Sequence, residues 1–191
     1  MPNVTPPLVG LCGLKGSGKD TLAAALVKDH GYVRVAFADR LKAVAIDADP
    51  YVFYRGGYTR LAVVVEDIGW DAAKQHADVR RFLQYLGMAV RDNLDAEAWI
   101  NAVFSQVVQL RSDGHPVVIT DVRMLNEVDL VRDLYGNLIQ VKRPGIDDDD
   151  THISENEWKS ATPNIVFTNR GGLADVDRAA AYIANKLLGR S

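Results

Sequence analysis

The sequence holds a single cysteine, Cys12, which excludes an internal disulfide. Nothing in its cysteine usage points to an oxidising compartment, so a reducing cytoplasm is the expected setting. A basic excess is also missing, since 22 Lys and Arg stand against 25 Asp and Glu for a formal charge of −3. Proteins that coat a nucleic-acid backbone carry the opposite balance, so no polymeric nucleic-acid partner is expected, only its small building blocks. No stretch approaches 18 consecutive apolar residues, and the N-terminus has no basic region followed by an apolar segment and a small-residue cleavage site. The expectation is a chain that is neither exported nor membrane-bound. Internal repeats are absent, and His30, His76 and His115 show no spacing with Cys12 that would make a zinc site.

What is present is apolar material for one sizeable core: 48% of the 191 residues are hydrophobic, which fits a single compact domain, 1–191. Five short apolar runs read as buried strands: Leu8 to Leu14, Val33 to Ala38, Pro116 to Asp121, Leu138 to Val141 and Ile165 to Thr168. Helical spacing separates them. Leu22, Ala25 and Leu26 lie on one stripe that stops at Gly31, a residue suited to a left-handed cap. Met124, Val128, Val131 and Tyr135 repeat in the same way, as do Leu173, Val176, Ala180, Ile183 and Leu187. Strands alternating with helices predict an α/β fold with a five-stranded parallel sheet covered on both faces.

Two stretches break the alternation. Residues 40–111 carry several helical patterns and no clear strand, which predicts a helical insertion. Within it, Tyr58 to Lys74 is expected to be helical although Val63, Val64 and Val65 favour a strand. Asp95 is a plausible N-cap ahead of the run Trp99, Val103 and Val107. The second stretch, Pro144 to Pro163, has little periodicity and contains the aspartates Asp147 to Asp150, so it reads as a mobile surface loop.

The strongest chemical signal is Gly13-Leu14-Lys15-Gly16-Ser17-Gly18-Lys19-Asp20-Thr21, directly after a strand and before a helix. Glycines let successive N–H groups curl inward, the helix N-terminus adds positive potential, and Lys19 supplies a cation for the β- and γ-phosphates of a nucleotide. By composition alone such a string arises about once in fifteen chains of this length, so the strand before and the helix after give it its weight. One position departs from the usual pattern, because Asp20 follows the lysine where Ser or Thr normally ligates Mg²⁺. Asp20 can ligate the metal, Thr21 can take over after a small shift, or Asp20 can simply favour the helix N-terminus.

With these residues in view, the chain resembles the deoxynucleoside monophosphate kinases of tailed bacteriophages, members of the P-loop kinase superfamily. Gly18-Lys19-Asp20-Thr21 is the form usual in that family. Further similar segments are Phe37 to Lys42, Arg81 to Gly87, Thr120 to Arg123, Arg143 to Gly145 and Thr151 to Glu155, while Pro50 to Val79 carries little of the likeness. The resemblance implies transfer of the γ-phosphoryl group of ATP, with Mg²⁺, to a deoxynucleoside monophosphate, in the service of phage DNA precursor synthesis in the host cytoplasm. It implies Lys19, Arg81, Asp121, Arg123 and Arg143 as catalytic groups and Gly13, Lys15, Gly16, Ser17, Gly18, Lys19, Asp20 and Thr21 as the ATP loop. Phe37, Lys42, Arg81, Gln84, Arg91, His152 and Glu155 would meet the acceptor, and Asp20, Thr21 and Asp121 the metal.

The residue types suit that chemistry. A phosphate acceptor is already anionic and needs no strong base; it needs charge neutralisation and in-line placement. Arginine provides both, binding phosphate oxygens in pairs while staying charged. On a helix Arg80, Gln84, Gly87 and Arg91 share one face, with Phe82, Leu86 and Ala89 turned to be buried. Asp121 ends a strand where ligands gather in open α/β sheets, though it or Asn126 could instead cap the following helix. Arg143 opens the stretch 143–163, which in related kinases is a lid that keeps water from becoming the acceptor. Trp70, Trp99 and Trp158 read as packing residues. Alternative readings are a kinase for another small metabolite, of the dephospho-coenzyme A or sugar-acid type, and a nucleotide-binding protein without transferase activity. Which bases are accepted, and whether the chain pairs as a homodimer, stay open.

Overall fold

A computed structural model describes residues 5–146 and 157–188. In chain order the elements are β1 (Leu8–Cys12), α1 (Lys19–His30), β2 (Val33–Val35), α2 (Phe37–Ala48), β3 (Tyr51–Tyr54) and β4 (Gly57–Arg60). There follow α3 (Leu61–Ala73), α4 (Ala77–Asn93), α5 (Ala98–Ser112), β5 (Val117–Ile119) and α6 (Leu125–Asp133). Next come β6 (Asn137–Lys142), a 3-10 turn at Glu157–Ser160, β7 (Ile165–Thr168) and α7 (Leu173–Leu188). Phe37–Ala102 forms one compact unit and the remaining described residues another. Among the described residues no helix is long and apolar enough to cross a membrane.

The unit that carries the termini is the α/β part. Its five strands are all parallel, in the order β2-β5-β1-β6-β7. All of β1 is buried, as expected of a parallel strand covered on both faces, which is why it reads as an unbroken apolar run. On one face Leu22, Leu26, Val176 and Ile183 of α1 and α7 pack over Val9, Leu11, Val118 and Ile139. Each such side chain removed from water stabilises the fold by about 2 kcal/mol. On the other face Gly10 lets α6 approach, since a Cβ there would come within 2.7 Å of Val131 Cγ2. The chain leaves α1 at Gly31 in the left-handed region, with φ 71.

Three boundaries differ from the sequence-based expectation. β2 stops at Val35, and Phe37 and Ala38 open α2, where Asp39 in the first turn favours the helix N-terminus. β1 ends at Cys12 because Gly13 turns the chain at φ 139. Tyr135, expected on the buried stripe of α6, is 92% exposed. It adopts φ 55 just beyond the helix end, so the stripe is cut one turn short.

The second unit is not all-helical. β3 and β4 form an antiparallel hairpin whose two-residue loop, Arg55-Gly56, has φ 49 and 83, the positive pair of a primed turn. Val52 points inward with Leu61, Val64, Ala45 and Val79, while Tyr51, Phe53 and Tyr58 are exposed. The signal was Arg55-Gly56-Gly57 between aromatic residues; four-residue strands with aromatics on both faces hid the alternation. Within the expected helix of residues 58–74, the first three residues belong to β4, but α3 then runs through Val63 to Val65. Burial decides this: Leu61 and Val64 are both inside at helical spacing, which outweighs β propensity. Gly69, at φ 72 and ψ 162, breaks α3 before its last turn.

Candidate active site

The glycine-rich loop leaves β1 and enters α1 over the C-terminal ends of its neighbours. At Gly13 a Cβ would lie 2.2 Å from the carbonyl oxygen of Val141, so the loop presses on the end of β6. At Gly18, with φ 102, a Cβ would lie 2.3 Å from Nδ2 of Asn169, just past β7. Gly16 also needs positive φ, at 79. Gly18 is the N-cap of α1 and supplies no side-chain cap, so the first-turn amides are left to an anion. Ser17 donates its N–H to Leu14 O at 3.1 Å and is 1% exposed. Its hydroxyl has no hydrogen-bond partner among the described residues. Lys15 is exposed. The Lys19 ammonium donates to Gly13 O at 2.7 Å and Leu14 O at 2.9 Å, so the cation rests on the loop itself. Beneath it, burial pushes the Cys12 thiol up to about 11, against the opposite pull of Lys19.

Asp20 and Thr21 are both exposed in the first turn of α1, and as successive helical residues they project about 100° apart. Asp121 is half-buried after β5, at the same sheet edge as the loop. Among the described residues no three His, Cys, Asp or Glu converge to hold a metal unaided. These oxygen donors fit Mg²⁺, which is bound through one or two carboxylates together with substrate phosphates and water.

Arg123 is exposed, and the turn that carries it is held by residues the sequence did not single out. Glu127, buried, accepts from the N–H groups of Arg123 at 2.7 Å and Met124 at 3.1 Å. Glu157 accepts from Leu125 N–H at 3.1 Å. Glu127 and Glu157 thus cap the amides at the start of α6; Met124-x-x-Glu127 is the capping-box spacing without its hydroxyl. Arg143 is exposed directly after β6. His152, Glu155 and Asp147 to Asp150 lie outside the described residues. The stretch read as a surface loop ends in structure: Trp158 is 5% exposed and its N–H donates to Arg123 O at 3.0 Å.

In the second unit, Arg81, Gln84 and Arg80 are exposed on α4, and Arg91 is half-buried. The expected polar face breaks at Gly87. That residue is buried beside Leu41, and its carbonyl accepts from Trp99 Nε1 at 3.2 Å. Ala89, expected inside, is exposed. Close helix packing accounts for both, because Gly87 is where α4 meets α2. The Arg81 guanidinium is ion-paired with Asp78, whose other oxygen accepts from Phe53 N–H at 2.8 Å. Phe37 is buried at the start of α2. Lys42 is half-buried, 3.7 Å from Asp39, with its ammonium 5.8 Å from the Trp70 ring centre. These three side chains, with Ile46 and Asp47, line a cleft of about 430 Å³.

A family model described as deoxynucleotide monophosphate kinase matches residues 54–179. A protein of Acanthamoeba polyphaga mimivirus, provisionally assigned as a deoxynucleotide monophosphate kinase, is 35% identical over 177 residues, 85% of this chain and 88% of its own. The deoxynucleotide monophosphate kinase of Escherichia phage RB69 is 29% identical over 63% of this chain and 52% of its own. Among solved structures, dephospho-CoA kinase from Campylobacter jejuni superposes with a TM-score of 0.54 at 11% identity, covering 96% of this chain and 98% of that one. TT1252 from Thermus thermophilus gives 0.51 at 23% identity, covering 95% and 98%. Those structures share the fold of this chain.

Proposed function

Because the chain belongs to the deoxynucleotide monophosphate kinase family, we propose that it transfers the γ-phosphoryl group of ATP to a deoxynucleoside monophosphate. An oxygen of the acceptor phosphate bonds to the γ-phosphorus, the bond from that phosphorus to the β–γ bridging oxygen breaks, and ADP and the deoxynucleoside diphosphate leave. The observation that carries this reading is the loop from Gly13 to Lys19: three glycines at positive φ, a helix N-terminus with no side-chain cap and a lysine against the loop carbonyls.

The residues then take roles that follow from their chemistry. The loop of Gly13, Lys15, Gly16, Ser17 and Gly18 cradles the phosphates with its inward amides, the Ser17 N–H closing the turn onto Leu14 O, and Lys19 exchanges its carbonyl partners for the β- and γ-phosphates. Asp20 or Thr21, with Asp121, would hold Mg²⁺, which supplies neutralisation of the phosphate charge when bound. Arg81 meets the acceptor phosphate and Gln84 offers an amide to a base edge, with Phe37, Lys42 and Arg91 shaping the acceptor side. Arg123 and Arg143 neutralise the transferring group, and His152 and Glu155 belong to the lid of residues 143–163. Solution in the cytoplasm and small nucleotides as the only ligands complete the reading.

The test is ADP release from Mg-ATP with each deoxynucleoside and ribonucleoside monophosphate in turn. Turnover on deoxynucleotide acceptors is expected, and the set of active acceptors gives the base preference. ATP binding without turnover on any monophosphate would overturn the assignment.

A further inference from the structure

We propose that Asn169 is a positioning residue for the ATP-binding loop, fixing the peptide between Ser17 and Gly18 in its nucleotide-binding orientation. This rests on the reading of the Gly13–Thr21 loop as the ATP site. Asn169 follows β7 and is 5% exposed. Its Nδ2 donates to Ser17 O at 3.0 Å, its Oδ1 accepts from Gly171 N–H at 3.0 Å, and its own N–H donates to Lys142 O at 2.7 Å. One side chain thereby joins the loop after β1 to the turn that leads into α7, while the backbone of the same residue is tied to the end of β6.

The consequence for the loop follows from peptide geometry. In a trans peptide the C=O and the N–H point in opposite directions, so a carbonyl of Ser17 held by Asn169 aims the Gly18 N–H away from it. In a phosphate-binding loop that is the direction the ligand occupies. Without the amide, the same peptide could rotate and offer its carbonyl, a partial negative charge, to a polyanion. Asn169 also fills the space a side chain at position 18 would need, which gives a second reason, besides φ 102, for glycine there. Asparagine suits the position because one planar amide gives a donor to Ser17 and an acceptor to Gly171; aspartate has the shape without the donor, and alanine has neither.

The experiment is steady-state kinetics of the full chain with Asn169→Ala and Asn169→Asp, varying ATP and the deoxynucleotide separately, with melting of the nucleotide-free proteins. Loss of a buried hydrogen bond should raise KM for ATP about tenfold in Asn169→Ala. Asn169→Asp, which keeps the shape and the Gly171 contact, should be worse for ATP because it sets a carboxylate against the Ser17 carbonyl. KM for the deoxynucleotide should stay within about twofold, since hydrogen bonds to the loop act on ATP alone. Equal rises in both KM values alongside a lower melting temperature would reduce Asn169 to a structural strut and overturn the proposal; so would an unchanged KM for ATP in a folded Asn169→Asp. If the wild type itself binds no ATP, the loop reading fails, an outcome distinct from a wild type that binds ATP and variants that bind it equally well.

Discussion

The glycine-rich loop and the α4 surface, the two places proposed to meet phosphate, are built in different ways. The loop from Gly13 to Gly18 is built of backbone: its glycines are pressed onto Val141 and Asn169, and its useful groups are amides fixed by the sheet beneath. On α4 the useful groups are exposed side chains, Arg81 and Gln84, with Asp78 and one hairpin N–H as the support of the arginine. Backbone fixed by a buried sheet costs no reorganisation when the ligand arrives. Exposed side chains can be retuned one at a time, which suits a surface proposed to meet the acceptor. Stability and function should therefore be coupled at the glycines of the loop and separable at the side chains, Lys19 beside the loop and Arg81 on the helix.

The largest expected effect is at the Lys19 side chain, where unfolding of the variant would break this contrast. Lys19→Ala should lower kcat by about a thousandfold, roughly 4 kcal/mol of transition-state stabilisation, while leaving the fold intact, as measured by ADP release and circular dichroism. Next is Gly13→Ala, where the new Cβ would meet backbone at 2.2 Å at φ 139. A loss of about 3 kcal/mol in urea unfolding is expected, whereas Gly56→Ala, with φ 83 but open space around it, should lose only about 1 kcal/mol. Similar losses at the two positions would show that backbone conformation alone, and not the pressed loop, sets the cost.

A third test uses Cys12. Its pKa rises from 9.0 to about 11 on folding, so the folded state holds its proton more tightly than the unfolded chain. The associated stability is complete below about pH 9 and should fall by roughly 2 kcal/mol as pH climbs toward 11, because the unfolded thiol ionises first. Urea unfolding at pH 8 and 10.5 would show a smaller decline in Cys12→Ala, and an identical decline would refute the assignment. The smallest effect sharpens the contrast from the other side. Arg81→Ala should raise KM for the deoxynucleotide about tenfold while changing stability by less than about 0.5 kcal/mol, since its ion pair is exposed. A large loss of stability there would put Arg81 in the scaffold.

The site was legible to the extent that its parts were contiguous. Gly13 to Thr21 announced itself because positive-φ positions, helix start and lysine all fall within nine consecutive residues. Gly87 misled, since its helical spacing from Gln84 and Arg80 carries no sign that α2 approaches on that side. Glu127 left a faint trace as the last member of a capping spacing, and Asp78 as the partner three residues before Arg81. Asn169 left none: it stands 152 positions from the serine whose carbonyl it holds.

The residues taken a few at a time were enough for the parallel α/β sheet, for the helix that follows the glycine loop and for the positive-φ turns of that loop. Apolar runs, helical spacing and glycine conformations are properties of a few neighbouring residues. The helix expected over Val63 to Val65 is there, but only tertiary contacts show that Tyr51 to Arg60 folds as a hairpin and that Asn169 and Glu127 hold the glycine-rich loop and the turn at Arg123. Those outcomes depend on which distant surface each segment is buried against, and burial outweighs local preference wherever the two disagree.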